Sequence, residues 1–168
     1  TRILSGHSDS TIKLWDANSG TELDAFAHQR IRRLSMSPDG EQIAIADNDN
    51  TITIRNVANK KMITIDASAF SMSFSPDGSM LIVGGFADDR ISLWNTETGE
   101  NLRVFRGHTS YISDVDFSPD GQKLFSGSQD GTVKVWNLAE NPRLSEIKDN
   151  APYFHSIDFS ADGHRILG

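Results

Sequence analysis

Four stretches of this chain are variations on one template: Ile3 to Asp16 (ILSGHSDSTIKLWD), Ile43 to Asn56 (IAIADNDNTITIRN), Leu81 to Asn95 (LIVGGFADDRISLWN) and Leu124 to Asn137 (LFSGSQDGTVKVWN). Between them recurs a serine-proline-aspartate-glycine motif, at Ser37 to Gly40, Ser75 to Gly78 and Ser118 to Gly121, decaying to Ser160-Ala161-Asp162-Gly163. The large residue closing each template is Trp15, Arg55, Trp94 or Trp136, at spacings of 40, 39 and 42 residues. A period on the order of 40 residues implies supersecondary units that cover their apolar faces by stacking on one another. That constraint outweighs the length, which alone would allow one or two ordinary domains.

Within each unit the apolar residues alternate at period two, so the elements are short strands, and no sustained 3.6-residue pattern predicts a helix. The best-preserved unit gives the order. Ile112 to Ser118 is a strand (a), the Ser-Pro-Asp-Gly turn reverses it, and Lys123 to Gly127 returns (b). A tight turn at Gln129-Asp130-Gly131 leads into Thr132 to Trp136 (c), and a weaker fourth strand (d) lies near Leu144 to Ile147. Proline presets φ in the first turn and Asp-Gly suits the tight hairpins. The expectation is an all-β chain of four antiparallel strands per unit, with units over 1–27, 28–66, 67–106, 107–148 and 149–168, the first and last incomplete. Length differences belong in loops, which absorb them cheaply: one extra residue around Phe86 to Asp89, and one fewer between His28 and Ser37.

Composition excludes several functions. With 37% hydrophobic and 23% charged residues the chain reads as globular, and no stretch is long and apolar enough for a membrane helix. A net charge of −7 argues against binding a phosphate backbone, which needs clustered Lys and Arg. The absence of cysteine removes disulfides and thiolate metal sites and suits a reducing, cytoplasmic setting; no signal-like segment opens the chain. No cofactor or metal is expected. The five histidines have no ligand spacing. Asp47-Asn48-Asp49-Asn50-Thr51 has calcium-type alternation but Ile52 where the loop needs glycine, so it reads as a polar turn. Arg30-Ile31-Arg32-Arg33 and Lys60-Lys61 are the basic clusters, read as solvated strand edges.

Units of this length whose strand c ends in Trp15-Asp16, Trp94-Asn95 or Trp136-Asn137, together with Gly107-His108, the Ser-Pro-Asp-Gly turns and the aspartate before strand c, resemble the WD-repeat family of β-propellers. The resemblance runs over the whole chain. It implies about four blades set radially, as part of a larger propeller of roughly seven or eight or as an open arc. It also implies a buried structural network of His108, Ser126 (or Ser128), Asp130 and Trp136 in the fourth unit. Histidine, serine and aspartate could equally compose a hydrolase triad, but a fold that needs the network blade after blade favours the structural role, and no catalytic residue is assigned. Unit two keeps His28 and Asp49 but has Ile45 for the serine and Arg55 for the tryptophan; unit three has no histidine before strand a. Blades two and three are therefore expected to depend on apolar contacts and to be the softer part.

Loops leading into strand a lie on one rim, which in this family commonly contacts partners. Arg30, Ser68, Tyr111 and Tyr153 share one rim position, and Arg33, Ser71, Asp114 and Ser156 lie three residues further in. The candidate partner-binding residues are Arg30, Arg33, Tyr111, Asp114 and Tyr153, since tyrosine and arginine dominate interaction hot spots. The resulting expectation is a non-enzymatic platform or sensor for a protein or peptide partner, within a larger assembly. The alternatives are a metal-binding or catalytic propeller using channel carboxylates, and a structural fragment that self-associates or is completed by further blades.

Overall fold

The computed structural model describes residues 1–85, 89–139, 145–148, 156, 158–159 and 166–167. Arg2–Gly6 (β1), Thr11–Asp16 (β2) and Glu22–Ala27 (β3) make a three-stranded sheet. Three four-stranded sheets follow: Ile31–Met36 (β4), Gln42–Asp47 (β5), Thr51–Asn56 (β6) and Met62–Asp66 (β7); Ala69–Phe74 (β8), Met80–Gly85 (β9), Arg90–Asn95 (β10) and Asn101–Arg106 (β11); Ile112–Phe117 (β12), Lys123–Ser128 (β13), Thr132–Asn137 (β14) and Ser145–Lys148 (β15). Asp158–Phe159 (β16) pairs with Ile166–Leu167 (β17). Strands neighbour one another in chain order and every pairing is antiparallel, so each sheet is a meander, blades one to five in turn. No helix occurs among the described residues, and the sheets do not close into a ring.

The Ser-Pro-Asp-Gly turns explain why the hairpins close where they do. Ser37 Oγ donates to Asp39 Oδ1 at 2.5 Å and accepts from the Gln42 amide at 2.9 Å, while Gly40 sits at φ +74°. The same pattern recurs at Ser75 and Ser118, with Gly78 and Gly121 again left-handed, a conformation costly for any residue bearing a Cβ. The turns also join blades: Arg2 Nη1 donates to the Gly40 carbonyl at 2.6 Å, and Gln42 Nε2, at the same place one blade on, donates to that of Gly78 at 3.1 Å.

The cores lie between blades. In strand c the second and fourth residues face the following blade. Ile52 and Ile54 join Ala44, Ala46, Met72, Phe74, Leu81 and Val83, and Ile91 and Leu93 join Ile112, Val115, Phe117, Leu124 and Trp136. Ile12 does the same with Ile43 and Ile45. The innermost strands β4, β8 and β12 stand side by side. They are tied by side chains: Arg33 Nε donates to the Phe70 carbonyl at 2.8 Å, Ser71 Oγ to Asp114 Oδ1 at 2.5 Å, and Ser73 Oγ to Asp116 Oδ1 at 2.9 Å. Each inner strand carries a bulge at its second residue, Arg32, Phe70 or Ser113. The outer strands β3 and β11 bulge at Leu23 and Leu102, whereas β7 keeps continuous register with β6.

Candidate functional site

Two sites can be built from these elements: the rim formed by the loops into strand a, and the buried relay beneath it. At the rim, the carbonyl of Arg30 accepts from the Asn48 amide at 3.2 Å and that of Tyr111 from the Gln129 amide at 3.0 Å. Arg30 and Tyr111 are thereby fixed through their backbones to the b-to-c turns of their own blades. Their side chains project: Tyr111 is 52% exposed, and the Arg30 side chain is 63% exposed with Nη1 on Asp49 Oδ1 at 2.5 Å. Arg33 and Asp114 lie deeper and are engaged between blades as described above, Arg33 also stacking over the Phe70 ring at 5.1 Å. Tyr153 lies outside the described residues.

Below Tyr111 the structure brings His108, Ser126, Asp130 and Trp136 together. His108 Nδ1 lies 2.8 Å from Asp130 Oδ2 and Nε2 lies 2.7 Å from Ser126 Oγ, which also accepts the Trp136 indole N–H at 2.9 Å. Burial outweighs the pull of Asp130 and lowers the His108 pKa, so the ring is neutral: Nδ1–H donates to Asp130 and Nε2 accepts from Ser126. Burial would raise the Asp130 pKa, but hydrogen bonds from the Thr132 hydroxyl, the Thr109 amide and His108 prevail and hold it at about 2. The distances are those of a hydrolase triad, yet Ser126 is 0% exposed and its oxygen is occupied from two sides, so no substrate carbonyl can approach it. Ser128, the alternative to Ser126, ties the turn to the rim instead, donating to the Tyr111 carbonyl at 2.8 Å.

The other blades use the same positions differently. In blade one Trp15 donates to Ser5 at 2.9 Å, and His7, in the turn after strand b, lies 2.9 Å from the same oxygen. In blade two the expected partnership of His28 with Asp49 is corrected: His28 Nε2 stands 3.9 Å from Asp47, whose oxygens also take the Asp49 and Thr51 amides and the Thr51 hydroxyl. Asp47 ends strand b, where it reaches inward, whereas Asp49 sits at the exposed tip beside Arg30. These bonds also show why the Asp47–Thr51 segment is a turn: Asp47 is spent on the segment's own donors. Among the described residues no three His, Asp or Glu side chains converge.

Sequence reasoning missed two arrangements. Arg55, in the tryptophan position, is 8% exposed; it reaches back to blade one, with Nη1 on Asp24 Oδ2 at 3.0 Å and its guanidinium 3.8 Å from the Phe26 ring centre. Lys60 Nζ meets the same Asp24 oxygen at 2.5 Å. Lys60, foremost, and Arg55 hold the Asp24 carboxyl below its ordinary range against the opposing effect of burial. The visible signal was Lys60 itself, left-handed at φ +60° where units one and three place Gly20 and Gly99. Lys60 is thus an inter-blade contact rather than part of a solvated edge. In blade three, Val83 replaces the serine and the Trp94 indole turns to Ser92 Oγ at 2.8 Å on its own strand, leaving the ring half-buried.

Comparison with known proteins agrees with this geometry. The WD domain, G-beta repeat family matches residues 1–16, 20–56, 60–95 and 99–137. The chain is 33% identical over 132 residues to the serine-threonine kinase receptor-associated protein of Gallus gallus, covering 76% of this chain and 37% of that protein. It is 30% identical over 129 residues to Protein groucho of Drosophila melanogaster (69% and 18%), and 32% identical over 100 residues to an uncharacterised WD repeat-containing protein of Synechocystis (57% and 28%). The chain therefore spans well under half the length of these relatives. WD-repeat proteins generally mediate protein–protein contacts and are generally non-enzymatic. With four matched repeats and blades of the corresponding topology, this chain belongs to the WD-repeat family of β-propeller proteins.

Proposed function

We propose that this chain is a non-enzymatic interaction platform that holds a protein or peptide partner on the rim formed by the loops into strand a, as part of a larger assembly. The observation that supports this reading is the mounting of Arg30 and Tyr111, whose carbonyls are bonded into the b-to-c turns while their side chains project into solvent. A fixed backbone lowers the ordering cost of binding, and tyrosine offers a large amphipathic face with few rotatable bonds. Tyr153 extends the row by sequence register. Arg33 and Asp114, further in, set the charge beneath the rim through their inter-blade bonds. The buried relay of His108, Ser126, Asp130 and Trp136 serves as the scaffold that holds Tyr111 in place.

The test is selection of a displayed peptide library on the immobilised chain, followed by titration of the selected peptides against Arg30→Ala and Tyr111→Ala. Each variant should weaken binding by about 1–2 kcal/mol, with an unchanged circular dichroism spectrum. Selected peptides that bind both variants as tightly as the parent would refute the rim assignment.

A further inference from the structure

The grooves between blades are not alike. Strand d places Phe26, Ile65 and Phe105 in the same register, opposite Ile12, Ile52 and Ile91. At two interfaces the phenyl ring meets the residue closing strand c of the next blade: Phe26 lies under the Arg55 guanidinium at 3.8 Å, and Phe105 meets Trp136 edge to face at 5.4 Å and 61°. Between blades two and three the phenyl is replaced by the shorter Ile65. Ser92 stands where β2 and β14 carry Lys13 and Lys134, and Ser68 where the flanking rims carry Arg30 and Tyr111. Ile65 is buried in the core, and beside it lies a groove of about 410 Å³ whose lining includes Trp94, Val104, Ala67, Ser68, Ser92 and Asp66. Val104 is 44% exposed within it.

We infer that this groove accepts an aromatic side chain, with a basic residue beside it, from a segment of a partner protein. The aromatic ring completes against Trp94 the contact that Phe105 makes with Trp136 inside the chain, where edge-to-face geometry adds to simple burial. The basic residue answers Asp66, an exposed carboxylate that forms no ion pair among the described residues, whereas Arg90, which also lines the groove, already has a partner. The chain's net charge of −7 favours the same sign of ligand. This inference rests on the interaction reading above and adds the chemistry of the partner.

The probes are acetyl-Lys-Phe-amide, acetyl-Lys-Ala-amide and acetyl-Glu-Phe-amide, titrated into the chain while the Trp94 indole N–H resonance, assigned by its loss in Trp94→Phe, is followed. The Lys-Phe probe should shift it saturably, at least about tenfold more tightly than either of the others, with the Trp15 and Trp136 resonances unmoved. Ser68→Tyr closes the groove at a position where Tyr111 shows that the fold accepts the larger residue, and it should abolish the shift. Equal response to the Lys-Ala probe, equal response to the Glu-Phe probe, no Trp94 response, or an unaltered response in Ser68→Tyr would each overturn the proposal. A library-selected peptide that needs Tyr111 but ignores Ser68→Tyr would uphold the rim reading and overturn the groove; the converse would uphold the groove and overturn the rim.

Discussion

At the scale of single residues, one oxygen organises the fourth blade. Ser126 Oγ satisfies both the Trp136 indole and the His108 ring, so Ser126→Ala leaves a buried donor and a buried acceptor without partners while changing little volume. A loss of about 2–3 kcal/mol is expected, since an unmade buried hydrogen bond costs more than a made one contributes. It would be read as a lower urea midpoint at unchanged slope. Arg55 tests the opposite intuition. Restoring the family's tryptophan there should destabilise the chain, because Ile45 offers no acceptor to a buried indole N–H and Asp24 would keep only Lys60. Arg55→Trp is expected to cost about 1–3 kcal/mol, and adding Ile45→Ser should recover part of it. A single variant as stable as the parent in thermal melts would refute the expected cost of replacing the Arg55–Asp24 pair with an unpartnered indole.

At the scale of strands, the close approach of β9 to β12 depends on the absence of a side chain. A Cβ on Gly84 would meet Ile112 Cγ2 at 2.7 Å and Val115 Cγ1 at 3.1 Å, both on the inner strand of the next blade. Gly84→Ala should therefore lower stability by about 1–3 kcal/mol through overpacking, detectable by chemical denaturation, and it should cost less in an Ile112→Ala background, where the clashing Cγ2 is gone, than in the parent chain. Strands and turns of this kind were legible in the sequence because alternation and Ser-Pro-Asp-Gly report local conformation directly. The relay in blade four was legible too, since its four residues recur at family spacing. The bulges at Arg32, Phe70 and Ser113 were not, because a bulge is an inter-strand register and no residue type marks it here. The groove was hidden for a similar reason. It is lined by Ser68, in the loop between β7 and β8, and by Ser92 on β10, small residues that become neighbours only once two blades stack.

At the scale of the molecule, the interfaces differ in how they respond to acid. The core shared by blades two and three is wholly apolar, running from Ala44 and Ile52 to Leu81 and Val83. Blade four adds a titrating relay. The ordinary His pKa is 6.5, and burial holds His108 below it, so the unfolded chain binds this proton first. Stability from this group is complete above 6.5 and declines as pH falls from there toward the folded value. Asp130 acts later: its folded pKa of about 2 against an ordinary 3.8 means that its contribution is lost as pH falls between those two values. Amide exchange corrected for intrinsic rates should therefore rank β13 and β14 as better protected than β9 and β10 at neutral pH, in keeping with the softer blades expected from the missing relay. The difference should shrink as pH falls below 6.5, where His108 begins to lose its advantage, and shrink further below 3.8, where Asp130 loses its own. His108→Asn should remove the first decline and leave the second. Uniform loss of protection across all blades on acidification would mean that the arc unfolds as one cooperative unit and that the relay in blade four confers no local stability.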